Sequence, residues 1–230
     1  MAASKASRQA SAAIPTDLFE AEALGALPDE TLEPGAQVLR GFALAEADAL
    51  LDGIDAVTRA APLRRMETPG GFRMSVAMTN CGALGWVTDR RGYRYDPLDP
   101  ESGAPWPPMP AAFRSLATAA AAAAGFDDFE PDACLVNRYE PGAKLSLHRD
   151  ADERDFSQPI VSISLGAAAV FLWGGERRAD PVRRVPLGHG DVVVWGGPAR
   201  MRHHGVLPLK ADPHPRVGAQ RFNLTLRKAG

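Results

Sequence analysis

Asn137-Arg138-Tyr139-Glu140-Pro141-Gly142-Ala143-Lys144-Leu145-Ser146-Leu147-His148-Arg149-Asp150-Ala151-Asp152 is the stretch around which the rest of the chain is organised. From Lys144 to Asp150 the pattern alternates, so an extended strand sends Leu145 and Leu147 to one face and Ser146, His148 and Asp150 to the other. Two positions along a strand span about 6.6 Å, a separation at which an imidazole nitrogen and a carboxylate oxygen converge on one ion. A third ligand is needed. The chain has five histidines, and His203 and His204 stand side by side in another strand-like segment. Two imidazoles and one carboxylate on one side of a metal leave its other positions open, which suits non-haem Fe(II) and oxygen chemistry. A bare His-x-Asp is also what a solvated turn after an edge strand looks like, so the triplet alone decides nothing.

The 230 residues are 45% apolar, enough for a proper core. With 22 Gly and 20 Pro, many short strands and turns are favoured over long helices. Cys81 and Cys134 are far apart and in no metal or redox spacing, which suits a reducing compartment such as the cytoplasm. A net charge of −2 means that any nucleic-acid contact must rest on local clusters. No stretch approaches the roughly 18 apolar residues of a membrane span. The first sixteen residues, rich in Ala and Ser with Lys5 and Arg8 ahead of Asp17, have transit-peptide composition but are expected to be a disordered tail.

Along the chain, Ala36 to Leu39 reads as a strand, followed by a helix from about Ala45 to Arg59 with Leu50, Leu51, Ile54 and Val57 at helical spacing. Pro69-Gly70-Gly71 marks a turn, Phe72 to Thr79 a strand, and the glycines beyond it a mobile connection. Within that connection Trp86, Tyr93 and Tyr95 alternate with Arg90, Arg91 and Arg94. Aromatic faces stack on nucleobases and guanidinium groups hold phosphates, although packing of a long loop onto the core would also use the aromatics. A second helix runs from Ala111 to Ala124 and stops at Gly125. Strands then follow at Ala133 to Tyr139, Lys144 to Asp150, Ile160 to Leu165, Ala169 to Trp173, Arg183 to Leu187, Val192 to Trp195, His204 to Leu207 and Arg221 to Arg227. Short strands without intervening helices mean an antiparallel sandwich or barrel.

The last strand sends Phe222, Leu224 and Leu226 to one face and Arg221, Asn223, Thr225 and Arg227 to the other. In a closed barrel the second face points inward. Buried arginines demand an anion that no acid of this strand provides, and a dicarboxylate ligand would satisfy both. An outward row of Arg guarding a sheet edge is the alternative.

Together, Thr68-Pro-Gly-Gly71, Ser75-Val-Ala-Met-Thr-Asn-Cys-Gly82, Pro131-Asp-Ala-Cys-Leu-Val-Asn-Arg-Tyr139, Pro141-Gly-Ala-Lys-Leu-Ser-Leu-His148, Gly190-Asp-Val-Val-Val-Trp-Gly-Gly197 and Arg221-Phe-Asn-Leu-Thr-Leu-Arg227 resemble the AlkB family of Fe(II)- and 2-oxoglutarate-dependent dioxygenases, the bacterial DNA-repair branch in particular. The likeness runs from about Ala36 to the C-terminus. It implies a double-stranded β-helix, or jelly roll, mainly β with flanking helices: an N-terminal nucleotide-recognition lid within residues 17–130 and a catalytic core over residues 131–230, in one integrated domain. It implies His148, Asp150 and His204 as iron ligands, the histidine before Gly205 being the one that matches. Asn137, Tyr139, Arg221, Asn223 and Arg227 are implied around 2-oxoglutarate, with O2 as the second cosubstrate. Trp86 is implied against the damaged base, Tyr93, Tyr95, Thr68 and Arg178 near base or backbone, and Met74, Ser75 and Met78 in the lid. Asp152 suits a cationic base, because a carboxylate in the pocket favours N1-methyladenine or N3-methylcytosine over the neutral parent. Phe72 and His203 depart from the bacterial pattern.

The function implied is oxidative demethylation of alkylated bases in single-stranded DNA, with duplex DNA or RNA as further substrates, by a monomer. The same scaffold acting on a protein or small molecule would leave Trp86, the Tyr/Arg interleaving and Asp152 without a reason. A non-catalytic nucleic-acid-binding module would not need intact ligands and both arginines.

Overall fold

Alternation along short strands builds two antiparallel sheets that close over one polar interior. The structure, a computed structural model, describes residues 27–230; the tail expected over residues 1–16 lies outside the described residues. In chain order come β1 (Glu30–Glu33), β2 (Ala36–Leu39), α1 (Ala47–Ala60), β3 (Ala77–Gly82), β4 (Gly85–Asp89), β5 (Gly92–Asp96), α2 (Ala111–Ala123), β6 (Ala133–Tyr139), β7 (Leu145–His148), β8 (Ile160–Gly166), β9 (Ala169–Trp173), β10 (Arg183–Leu187), β11 (Val192–Trp195), β12 (His204–Val206) and β13 (Arg221–Arg227). The larger sheet has the order β1-β2-β11-β8-β13-β6-β3, the smaller β10-β9-β12-β7, and β4 pairs with β5 as a separate hairpin. Every pairing between these strands is antiparallel. This is the jelly-roll core with flanking helices that the sequence implied.

Period two divides the larger sheet between two environments. Cys134 and Val136 of β6, Val161 and Ile163 of β8, Val192 and Val194 of β11, and Leu224 and Leu226 of β13 face a core shared with both helices. Helix α1 buries Leu50, Leu51, Ile54 and Val57 there, each worth roughly 1.5–3 kcal/mol when fully taken from water. Helix α2 contributes Phe113, Leu116 and three alanines, and the chain leaves it at Gly125 with φ +88°, which favours glycine. The alternate residues face the smaller sheet. Val193 and Trp195 pack there with Phe171, Trp173 and Val206, while Asn137, Ser162, Ser164, Arg221, Asn223 and Arg227 are buried and polar.

Two expectations are corrected. The strand expected from Phe72 begins only at Ala77, because the turn at Thr68–Phe72 folds back on itself: Gly71 N–H donates to Thr68 O at 2.8 Å and Thr68 N–H to Phe72 O at 2.9 Å. The segment expected to be a mobile connection contains the β4–β5 hairpin, with Trp86 opposite Tyr95 and Thr88 opposite Tyr93. Its turn is Arg90-Arg91, with Gly92 at φ +119°. Within the hairpin the rings of Trp86 and Tyr93 stack with centroids 5.7 Å apart.

Candidate active site

Strand register makes the metal-ligand cluster. His148 on β7 and His204 on β12 are directly paired across adjacent strands, which puts their ring centroids 4.4 Å apart. Asp150 follows two residues after His148 and curls back to them, its carboxylate 3.6 Å from His148 Nε2 and 3.8 Å from His204 Nε2. Ligand atoms of the three residues all lie within 4.8 Å of one another. Each imidazole is oriented by its other nitrogen: Nδ1 of His148 lies 2.9 Å from Ser146 O and Nδ1 of His204 lies 3.1 Å from Arg202 O. A proton on Nδ1 makes both bonds and leaves both Nε2 lone pairs aimed at one point.

The electrostatics favour a cation. Burial pushes the His204 imidazole down to about 3, with His148 adding to the shift and Asp150 opposing it, so the ring is neutral and able to ligate. Burial, the largest single influence, would raise Asp150, but the Arg227 guanidinium beside it, together with His204 and His148, outweighs burial and holds the carboxyl well below the usual carboxylate range. Two imidazole nitrogens and an ionised carboxylate, with room on the cavity side, fit Fe(II) bound on one face.

A cavity of about 870 Å³ opens from this cluster. At its buried end Arg221 is 1% exposed. Its Nη2 donates to Ser164 Oγ at 2.9 Å and its guanidinium lies 5.1 Å from the Tyr139 ring. Its Nε and Nη1 have no partner among the described residues, and burial lowers its pKa. A buried cation with two unused donors calls for a carboxylate, so the residues fit 2-oxoglutarate. Asn223 is fully engaged: Nδ2 donates to Ser162 Oγ at 2.8 Å and Ile163 O at 3.0 Å, and Oδ1 accepts from Thr225 Oγ1 at 3.0 Å and Asn137 Nδ2 at 3.2 Å. It therefore positions Asn137, whose Oδ1 is unpartnered.

Arg227 behaves differently from the expectation that both arginines await a ligand. Its Nη2 and Nε sit 2.5 and 3.0 Å from Asp150 Oδ2, and its Nε 3.3 Å from Glu153. The last strand has no acid of its own, but the loop after β7 delivers two.

All the residues expected in the site line this cavity except Tyr95. Trp86 and Tyr93 form an aromatic wall, and Trp86 Nε1 donates to Asp152 Oδ2 at 2.8 Å. Tyr95 turns behind that wall, where its hydroxyl donates to Glu153 Oε1 at 2.7 Å. The hairpin arginines are paired, Arg90 with Glu67, Arg91 with Asp89 and Arg94 with Asp89 and Asp96. Arg73, Lys144, Arg149 and Arg178 are exposed, line the cavity and form no ion pair with a described residue. Arg178 was expected at the substrate; Arg73, Lys144 and Arg149 were not, and isolated basic residues in loops carry no pattern that marks them. His203 also lines the cavity, but its Nδ1 lies 3.3 Å from Gly175 O and its ring is outside the ligand cluster.

A jelly roll holding two histidines and one aspartate beside a buried arginine with two unused donors defines a 2-oxoglutarate- and Fe(II)-dependent oxygenase, and the family model for the 2OG-Fe(II) oxygenase superfamily matches residues 35–227. Within that superfamily the chain belongs to the AlkB family. It is 58% identical over 213 residues to the alpha-ketoglutarate-dependent dioxygenase AlkB of Salmonella typhimurium, covering 93% of this chain and 97% of that one. A 95-residue stretch is 38% identical to human nucleic acid dioxygenase ALKBH1, covering 41% of this chain and 24% of that one. Among solved structures, OsALKBH1 superposes with a TM-score of 0.75 at 29% identity, covering 87% of this chain and all of that one.

Proposed function

We propose that this chain repairs alkylated nucleic acid by oxidative demethylation, acting on cationic bases such as 1-methyladenine and 3-methylcytosine in single-stranded DNA, with duplex DNA and RNA as further substrates. One observation carries the proposal: a single cavity joins the two-histidine, one-carboxylate cluster to a buried guanidinium with two unused donors at one end and to an aromatic wall with a carboxylate at the other. When bound, Fe(II) with 2-oxoglutarate and O2 supplies the oxidising power. One oxygen atom enters the N-methyl group as the cosubstrate leaves as succinate and CO2, and the N-hydroxymethyl base then releases formaldehyde.

The protein's part is positioning. Arg221 takes the distal carboxylate of 2-oxoglutarate. Tyr139, Asn137 and Asn223 shape that end, and Arg227 holds Asp150 at the other. Trp86 and Tyr93 offer a face for one base, and Asp152, fixed by Trp86, offers its negative charge to a methylated cationic ring. Thr68, Met74, Ser75 and Met78 line the lid side. Because the methyl sits on the pairing edge, the base must be single-stranded or turned out of its stack, which a lesion that blocks pairing makes cheaper. The cations Arg73, Lys144, Arg149 and Arg178, which form no ion pair among the described residues, suit the phosphates on either side. The division into a nucleotide-recognition region over residues 17–130 and a catalytic core over residues 131–230 belongs to the same proposal, as does action by a monomer in the cytoplasm. Two buried free cysteines support a reducing compartment, and no helix among the described residues is long and apolar enough to cross a membrane.

The test is mass spectrometry of methyl loss from matched DNA and RNA oligonucleotides, single- and double-stranded, with iron and 2-oxoglutarate supplied. Methyl loss from 1-methyladenine and 3-methylcytosine, strongest in single-stranded DNA, with stoichiometric succinate and formaldehyde is expected. Succinate formation stimulated by a peptide but not by a methylated oligonucleotide would overturn the proposal.

A further inference from the structure

Behind the aromatic wall lies a buried charge cluster that sequence reasoning did not reach. The Glu153 side chain is 2% exposed and that of Arg200 3%, and Arg200 Nη2 donates to Glu153 Oε2 at 2.9 Å. Arg200 also donates from Nη1 to Asp150 O at 2.9 Å and from Nε to Gln158 O at 3.0 Å, so it clamps the loop after β7 at three points. The other oxygen of Glu153 accepts from Tyr95 Oη at 2.7 Å and stands 3.3 Å from Arg227 Nε. Arg227 in turn grips Asp150 Oδ2. Two acids and two guanidiniums thus balance their charges in the interior, each with hydrogen-bonded partners, which is the condition under which buried ions are tolerated.

The cluster joins two working parts. Tyr95 sits opposite Trp86 in the β4–β5 hairpin, and both reach across to the same loop, Trp86 to Asp152 and Tyr95 to Glu153. The hairpin that forms the base wall is therefore tied at consecutive loop residues, two and three positions after a metal-ligand carboxylate. From Tyr95, a hydrogen bond to Glu153, an ion-pair contact of 3.3 Å from Glu153 to Arg227 and hydrogen bonds from Arg227 to Asp150 form one polar path. Displacement of the hairpin acts on that carboxylate directly, because a dense interior leaves no slack to absorb it.

We propose that Glu153, locked by Arg200, is a positioning residue that couples the base pocket to the iron site: seating a methylated base against Trp86 moves the hairpin, and Tyr95, Glu153 and Arg227 carry that movement to Asp150. This rests on the proposed function. It assigns Tyr95 a role different from base contact, and it accounts for its hydroxyl being buried against an acid behind the wall.

The test uses the full-length protein loaded anaerobically with Fe(II) and 2-oxoglutarate. The charge-transfer absorption band is recorded before and after addition of an oligonucleotide carrying 1-methyladenine, and the ratio of 2-oxoglutarate consumed to formaldehyde released is then measured in air. In the wild type the band shifts on addition and the ratio stays near one. In Glu153→Gln and Tyr95→Phe the band forms but no longer responds to the oligonucleotide, and the ratio rises about fivefold or more. A purely structural Glu153 would instead reduce band amplitude and melting temperature together and leave the ratio alone. Should Glu153→Gln not fold, Tyr95→Phe removes only the hydroxyl link and reads the same two quantities. Variants that respond and couple like the wild type overturn the proposal, as does a wild-type enzyme that demethylates the oligonucleotide without any change in its band. A wild type that fails to demethylate at all overturns the proposed function, and the coupling with it.

Discussion

Arg221 and Arg227 share a strand and a face, yet one is left without an anion and the other has two. The difference predicts opposite consequences for the ligand-free protein. Arg221→Met removes a buried charge with two unused donors, so the melting temperature without ligands should equal or exceed that of the wild type, because replacing a poorly compensated buried charge by a packed apolar group is neutral or stabilising. The same change should weaken 2-oxoglutarate binding at least 30-fold, in line with roughly 2–5 kcal/mol for a buried charge pair broken from one side, as read by anaerobic titration. A lower melting temperature with unchanged affinity would refute the assignment. His204 supplies a second prediction. Its pKa lies near 3 in the folded chain and near 6.5 when unfolded, so the unfolded state binds more protons below that value and stability falls as pH drops. At pH 5 this costs up to about 2 kcal/mol relative to pH 7. Asp150, whose folded pKa is depressed, contributes stability that is fully present above its unfolded value of about 3.9 and stays out of this window. Burial also lowers His189 and His214, which act with the same sign, so the comparison that isolates His204 is urea unfolding of chelator-treated wild type and His204→Asn at pH 7 and pH 5. The variant should show the smaller loss.

At the scale of the element, the ligand pair depends on how closely β12 approaches β7. A side chain at Gly205 would place its Cβ 2.7 Å from Leu145 O and 3.2 Å from Leu147 N, backbone atoms that have no way to yield. Gly205→Ala should push the strands apart where His204 faces His148 and lower Fe(II) affinity about tenfold or more while leaving far-UV circular dichroism unchanged. Wild-type affinity in that variant would show that the approach is slack. Glycine after the ligand histidine is thus a spacing requirement between strands. That requirement belongs to pairing, and sequence shows pairing poorly. The bounds of β2, β6, β9, β10, β11 and β13 are readable because each strand has an inward side that differs from its other side, helix-facing in β6, β11 and β13 and more exposed in β9 and β10, and alternation records such a split directly. Strand β1, with partly exposed residues throughout, leaves no such record. The hairpin was misread as a mobile connection because its glycines are turn and packing positions; a Cβ at Gly85 would strike the Trp106 ring at 2.4 Å. His148, Asp150, His204 and Arg221 stand in local motifs, whereas the Arg200–Glu153 pair joins residues 47 apart in irregular segments, where no period points from one to the other.

Across the whole molecule, charge is arranged against the average. The chain carries a net charge of −2, and several arginines are spent on neighbouring acids, including those of the hairpin that sequence alone would offer to phosphates. Four cations at the cavity form no ion pair among the described residues: Arg73, Lys144, Arg149 and Arg178. If these four neutralise phosphates of a bound single strand, affinity should fall with salt at a slope of roughly −0.7 per contact, about −2.8 in all, which is a loss of roughly 50-fold between 50 and 200 mM. The hairpin arginines could add to the slope only by giving up their acids, and exposed pairs of that kind are weak enough to exchange without steepening it much. The measurement is the KM for a methylated oligonucleotide across that salt range, beside the KM for a methylated nucleoside, which carries no phosphate and should not respond. Reversing one contact, Arg149→Glu, should flatten the oligonucleotide slope by about one and leave the nucleoside unaffected. An oligonucleotide slope shallower than −1 would mean that the strand is held by its bases alone, with these cations facing only solvent.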